Sequence, residues 1–371
     1  MYIDSKNSSP YNNQSKVESI LKLYKESQSL KDHWKDKFEE AYEYCLPQRE
    51  SFYDESPGSK RTDKIFDETA VVGIQEFASR LQAGIVPTFA RWANFEAGVE
   101  IPDENKENVN AALDTITQYV FEILSASNFN QEVHEAFMDL AIGTGCLLVE
   151  EGDAINPIKF SAIPLPHLIL NNGPNNKIDT VFRRRYCKLK NITVMYPKAV
   201  VPDDIMQSMD QDKKCTLIDG VYQDYSEPNV EKYKHCVILL EKKIIVFEEE
   251  FEGVGSNPYI TFRWNKASGE VYGRGPIFNA MAAIKTCNLT IQLVLENAQM
   301  AISGMYQIED DGVVNPDNIQ LVPGSLFPVA PGSKGLVPIQ AAGRFDVAQL
   351  ILEDMRANIK KALYMETLGR P

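Results

Sequence analysis

From Pro276 to Ser303 the sequence is apolar on nearly every side of a helix, and Lys285 and Glu296 are the only charged residues in the run. A helix of that kind is covered on more than one face, either by protein or by lipid. No stretch of about 18 uncharged apolar residues occurs here, so a membrane span is not expected. If continuous at about 1.5 Å per residue, the helix is roughly 40 Å long. Residues 305–339 then read as β-like sequence punctuated by glycine and proline. A last helix is predicted from Asp346, placed as its N-cap, to about Met365, with Ile351, Met355, Ile359 and Leu363 on one face.

The chain before Pro276 falls into two halves. After a Ser/Asn-rich tail (1–15), apolar residues recur at helical spacing through Val17, Ile20, Leu21, Tyr24, Trp34, Phe38, Ala41, Tyr42 and Cys45, so a long amphipathic helix is expected to end before Pro47. Further helices are expected from Asp67 to Pro87, over 105–125 and over 131–142. Short β-rich runs follow at 146–150, 158–163, 181–189, 216–222, 233–247 and 259–264, with Glu241-Lys242-Lys243 as a hairpin turn. The expected class is α+β, and no internal repeat is visible.

Composition narrows the function. The chain has 371 residues and a formal net charge of -14, whereas a protein that grips DNA through its phosphates carries a basic excess. If DNA is a partner, it is not held tightly. The six cysteines (Cys45, Cys146, Cys187, Cys215, Cys236, Cys287) show no CxxC and no histidine at ligand spacing, which points to reduced, mostly buried thiols and not to zinc or a disulfide framework. With a polar N-terminus, the chain is expected to be soluble and intracellular.

Enzyme signatures are missing from the sequence. His33, His134, His167 and His235 fall in no metal-ligand spacing, and neither a nucleophile elbow nor a phosphate-binding loop is present. Two tight glycine clusters stand out, Gly143-Thr144-Gly145 and Tyr272-Gly273-Arg274-Gly275-Pro276. The second could cradle a phosphate at a helix N-terminus. A bend that aims the following helix is the better reading, because the dinucleotide fingerprint is incomplete and Pro276 fits helix position N1. The acidic runs Glu248-Glu249-Glu250 and Glu309-Asp310-Asp311 read as solvated faces. Arg183-Arg184-Arg185 is the densest basic patch, either a wet strand face pairing with acidic residues or a DNA contact. No catalytic, cofactor or metal residue is assigned.

Several segments, in order, resemble the portal, or head-to-tail connector, proteins of short-tailed phages. Asp67-Glu68-Thr69-Ala70 leads through Phe77-Ala78-Ser79-Arg80-Leu81 to Pro87 and Arg91-Trp92. Residues 135–150, with Gly143-Thr144-Gly145, and the stretch Val181-Phe182-Arg183 through Tyr196-Pro197 follow. Most specific is Pro258-Tyr259-Ile260, Phe262-Arg263-Trp264 and 269–276, continued by Asn288, Glu296-Asn297-Ala298 and Pro323-Gly324. The resemblance spans residues 16–371.

It implies a flexible tail (1–15), a wing over 16–275 (helices 16–142, β-rich 146–264), a first stem helix over 276–303, a clip over 304–343, and a second stem helix with the start of a channel loop over 344–371. It further implies a ring of about twelve copies at one capsid vertex of the virion, assembled in the host cytoplasm. Double-stranded DNA would pass through it without specific contact. Implied partners are the large terminase subunit, a tail adaptor and capsid or scaffold proteins, with no membrane and no cofactor. Glu296, Glu309, Asp310 and Asp311 are candidates for a repelling field at the channel mouth or clip. The family continues into a channel loop, a kinked helix and a crown, whereas this sequence stops at Leu368-Gly369-Arg370-Pro371: either it is a shortened piece of the chain or this member lacks the inner portion, which puts the channel loop and crown in doubt. The competing readings are another virion part, such as a tail adaptor, and a metal-dependent DNA-processing enzyme built on carboxylates.

Overall fold

A computed structural model describes residues 14–53, 62–174, 176–202, 205–206, 212, 214–227, 230–303, 306–308, 331–332, 336–338 and 345–365. Four helices open the chain: α1 (Gln14–Cys45), α2 (Thr69–Ile85), α3 (Asp103–Ala126) and α4 (Phe129–Ile142). They are followed by β1 (Thr144–Glu151), β2 (Ile158–Ala162), β3 (Leu168–Asn172) and β4 (Ile178–Lys188). After a short helix α5 (Ile192–Met195) come β5 (Lys214–Asp224), β6 (Lys232–Leu239), β7 (Ile244–Glu252) and β8 (Tyr259–Arg263). The chain ends in α6 (Pro276–Ser303), β9 (Tyr306–Ile308), β10 (Leu336–Pro338) and α7 (Phe345–Ala362).

Strands β3 to β7 form an antiparallel meander in sequence order, and β8 returns to pair with β1 in a second sheet ordered β2-β1-β8. Both sheets hang on α1. Its first turns place Val17, Ile20 and Leu21 against Ile169, Phe182, Ile218 and Cys236 of the meander. Its last turns carry Phe38, Ala41, Tyr42 and Cys45 into the main core with α2, α4, β1 and α6. One long helix with an apolar stripe along its length therefore joins two cores.

The main core encloses a buried charge pair. Asp139 on α4 is 1% exposed, accepts the Tyr42 hydroxyl at 2.5 Å and pairs with the Arg49 guanidinium at 2.8 Å. Burial lifts its carboxyl to about 6, against the pull of Arg49 and Tyr42 in the other direction. Tyr42→Phe keeps the ring packing and removes the hydroxyl. We expect it to cost about 1–3 kcal/mol, read as a lower urea midpoint at unchanged slope.

The last part matches the expected order of long helix, excursion and return helix. The excursion begins and ends in a two-stranded antiparallel ladder, with Ile308 opposite Leu336 and Tyr306 opposite Pro338. Asp346 lies inside α7 and not at its cap, since the helix begins at Phe345. By length and composition alone, α6 is long and apolar enough to cross a bilayer over Pro276–Gln299, although Lys285 and Glu296 interrupt the run. Here its first half is built into the protein core instead, and Lys285 pairs with Glu40 of α1.

Candidate functional site

The two glycine clusters of the sequence meet. Gly275 N–H donates to the Ile142 carbonyl at 2.8 Å, and Gly273 N–H donates to Thr144 Oγ1 at 2.9 Å. A Cβ at Gly273 would lie 2.2 Å from the Gly143 oxygen, and one at Gly275 2.1 Å from the Ala141 oxygen. The end of α4 and the entry to α6 thus touch backbone to backbone, which only residues without a side chain permit. Arg274 N–H bonds to Asn265 O at 2.9 Å. Every backbone donor from Gly273 to Gly275 is therefore already engaged, and Pro276 has none, which leaves no nest for a phosphate. The motif is a bend.

Its side chains brace the same junction. Tyr272 is fully buried; its hydroxyl accepts from Leu170 N–H at 3.1 Å and lies 3.3 Å from the Leu168 carbonyl. Arg274 forms a two-point pair with Glu270 at 2.5 and 2.8 Å and lies over the Trp34 ring.

A second clasp holds the α6–α7 pair. Asn288, 3% exposed in mid-α6, accepts the Phe66 and Asp67 N–H groups at 2.6 and 3.0 Å. Asp67 in turn accepts Thr69 N–H, the first of α2, at 2.9 Å, and its other oxygen takes Arg356 of α7 at 2.7 and 2.8 Å. Burial raises the Asp67 carboxyl, but the bonds from Thr69 and Arg356 outweigh it and hold it below the usual range. Asp67 and Asn288 are among the residues that carry the resemblance, whereas Arg356 is not. Its only sequence signal is a basic residue beside Met355 on a helix whose other face is apolar.

Beyond this clasp the helix pair loses its cover. Along α6, Ile277, Ala280, Met281, Ile284 and Cys287 are buried, whereas Leu289, Leu293 and Leu295 are 57, 48 and 53% exposed. Along α7 the single apolar stripe shows the same gradient: Leu363 and Ile359 are buried, Met355 is half-buried, and Ile351 is 41% exposed. A second bare region surrounds α3, where only Thr117 is buried. An open groove of about 710 Å³ lies there, between residues 88–91 and Phe121 and its neighbours.

The sequence candidates are placed as follows. Glu296 is exposed on α6 and accepts from Gln292 at 3.0 Å. Glu309, Asp310 and Asp311 lie outside the described residues. Arg183, Arg184 and Arg185 are successive residues of β4, so their side chains alternate between the two faces of the meander and make no single patch. Arg185 reaches Tyr196 Oη at 3.1 Å in a network where Tyr196 donates to Asp219 at 2.7 Å and His235 meets its other oxygen at 2.7 Å. Burial pushes the Asp219 carboxyl up; His235, Tyr196 and Arg185 together outweigh it and hold it low. The acidic run of β7 pairs with lysines: Glu248 with Lys16, Glu249 with Lys198 and Glu250 with Lys232. Among the described residues, no group of three or more His, Cys, Asp or Glu side chains is gathered to hold a metal ion.

The described residues thus form an α+β body with a clasped helix pair whose apolar stripe runs past its own core. The sequence matches the family described as bacteriophage head to tail connecting protein over residues 17–370, and the chain belongs to that family. It is a structural component of the virion at the junction of head and tail. None of the curated proteins compared with it matches.

Proposed function

We propose that the chain is the repeating subunit of a closed, non-enzymatic portal ring of about twelve copies at one vertex of the capsid of a short-tailed phage. The observation that carries this reading is the bare distal half of α6 and α7. In a ring, each helix pair meets a neighbour on both sides, and the exposed leucines become interface core. Burying each of them contributes on the order of 1–2 kcal/mol, multiplied around the ring. DNA passes through the channel during packaging and ejection. A dozen copies at -14 each carry about -170 in total, a field that favours sliding over capture. The segment 304–343 then serves as the platform for the large terminase and later for the tail adaptor.

Negative-stain images and light scattering of the purified chain test the proposal. Rings with a central hole are expected for the native sequence. Leu289→Glu combined with Leu293→Glu should give a folded monomer, because both side chains are already solvated in the isolated subunit. A native chain that stays monomeric at tens of micromolar, or a double variant that still forms rings, would overturn it.

A further inference from the structure

The six thiols are scattered in sequence, but two of them are brought together by strand register. Cys187 near the end of β4 stands directly opposite Cys215 at the start of β5. Their sulfurs are 3.7 Å apart on the same face of the meander, and both belong to the small core formed with Leu189, Ile192, Leu217 and Val237. Directly opposed residues in an antiparallel pair have Cα atoms about 4.5–5.5 Å apart, within the span that a disulfide bridges. Cys187 is half-buried and Cys215 is 1% exposed, so one thiol is reachable and the other is sheltered behind it. Between them the chain leaves the sheet and returns, carrying Leu189, Ile192, Tyr196 and Ile205 into that core.

We infer that Cys187 and Cys215 are a preformed oxidation site, closing to a cross-strand disulfide when the protein meets a small-molecule disulfide such as oxidised glutathione. The Cys187 thiolate attacks one sulfur of the oxidant, whose S–S bond breaks and releases one thiol. The Cys215 thiolate then attacks the Cys187 sulfur and expels the second. The protein loses two S–H hydrogens and gains one S–S bond, and the oxidant is reduced to two thiols. Burial pushes both thiols up, Cys215 to about 12, so closure is slow at neutral pH and accelerates as the pH rises. In a reducing compartment the pair stays open, and outside it the pair closes.

The purified full-length chain, incubated with oxidised glutathione at mildly alkaline pH, then denatured and alkylated, provides the test. Alkylation of four of the six thiols is expected, with a mass about 2 Da lower before alkylation and a linked peptide joining residues 187 and 215. Cys187→Ala should leave all five remaining thiols alkylated, whereas Cys215→Ala, which lacks the resolving thiol, should hold one glutathione on Cys187 and leave four alkylated. The oxidised protein should also melt at a higher temperature than the reduced one. In the native chain, six alkylated thiols, a link through any other cysteine, a glutathione adduct that persists on Cys187, or a lower melting temperature would each overturn the inference.

Discussion

Gly273→Ala should destabilise the protein by about 3 kcal/mol or more, an unusually large effect for the addition of one methyl group. The new Cβ would stand 2.2 Å from the Gly143 carbonyl oxygen and 2.9 Å from the Arg263 Cβ, both inside the 3.0 Å that real contacts keep. Flexible ends can swing aside, but here the obstacle is main chain. Separating the strands of contact would stretch the Gly275 bond to Ile142 and the Gly273 bond to Thr144, and both of those donors are buried away from water. Denaturant unfolding followed by far-ultraviolet circular dichroism measures the loss. A midpoint within error of the native value would show that α4 and α6 do not meet as described. Gly84→Ala serves as the contrast, because nothing lies within 4 Å of the added atom. It should be neutral or slightly stabilising, since it exchanges glycine for alanine in a helix.

The second large effect concerns Asp67→Ala. This change removes the acceptor of the first α2 N–H and the partner of Arg356 together, and should cost about 2–3 kcal/mol. Arg356 is 43% exposed and can recover water, which keeps the figure below that for a fully buried pair. The sign of its pH dependence follows from the lowered Asp67 carboxyl. Its contribution is fully present above the ordinary value of 3.8 and is lost as the pH falls from there through the lower folded value. The stability gap between the native chain and Asp67→Asn should therefore be constant near neutrality and close in acid. Hydrogen exchange locates the damage: amides of α7 should lose protection before those of the meander do. Equal loss in both would mean that the clasp does not hold the helix pair.

Local chemistry made much of this fold legible. Pro276 at position N1 and an unbroken apolar periodicity marked α6 at both ends, and Pro47 and Pro87 bounded α1 and α2. The turn at Glu241-Lys242-Lys243 was readable from its charge, and Lys243 does adopt a positive φ of 52° there. Strand β3 escaped because Leu168–Asn172 is five residues long and carries no alternation. The Arg183–Arg185 triplet was visible as a charge cluster, but a strand sends neighbours to opposite faces, and that periodicity already divides it. Contacts between distant segments could not be read. Gly143 and Gly273 are 130 positions apart, and the meeting of Cys187 and Cys215 depends on the pairing register of β4 with β5. The same holds for the Asp67, Asn288 and Arg356 clasp, whose members come from the segment before α2, from α6 and from α7.

Because α6 is gripped at Asn288 and runs on to Ser303, the portion beyond the grip is a lever arm of about 22 Å. A load applied at its tip, by a docked partner or by a strand pulled past it, arrives at the grip as torque. The first bonds to feel that torque are those from the Phe66 and Asp67 amides to Asn288. Asp67 also accepts the first N–H of α2, so part of the torque passes to a helix whose Ile74 and Phe77 lie in the main core. The far end of the arm and the centre of the subunit are thus mechanically joined, through the Asn288 amide and through the buried first half of α6.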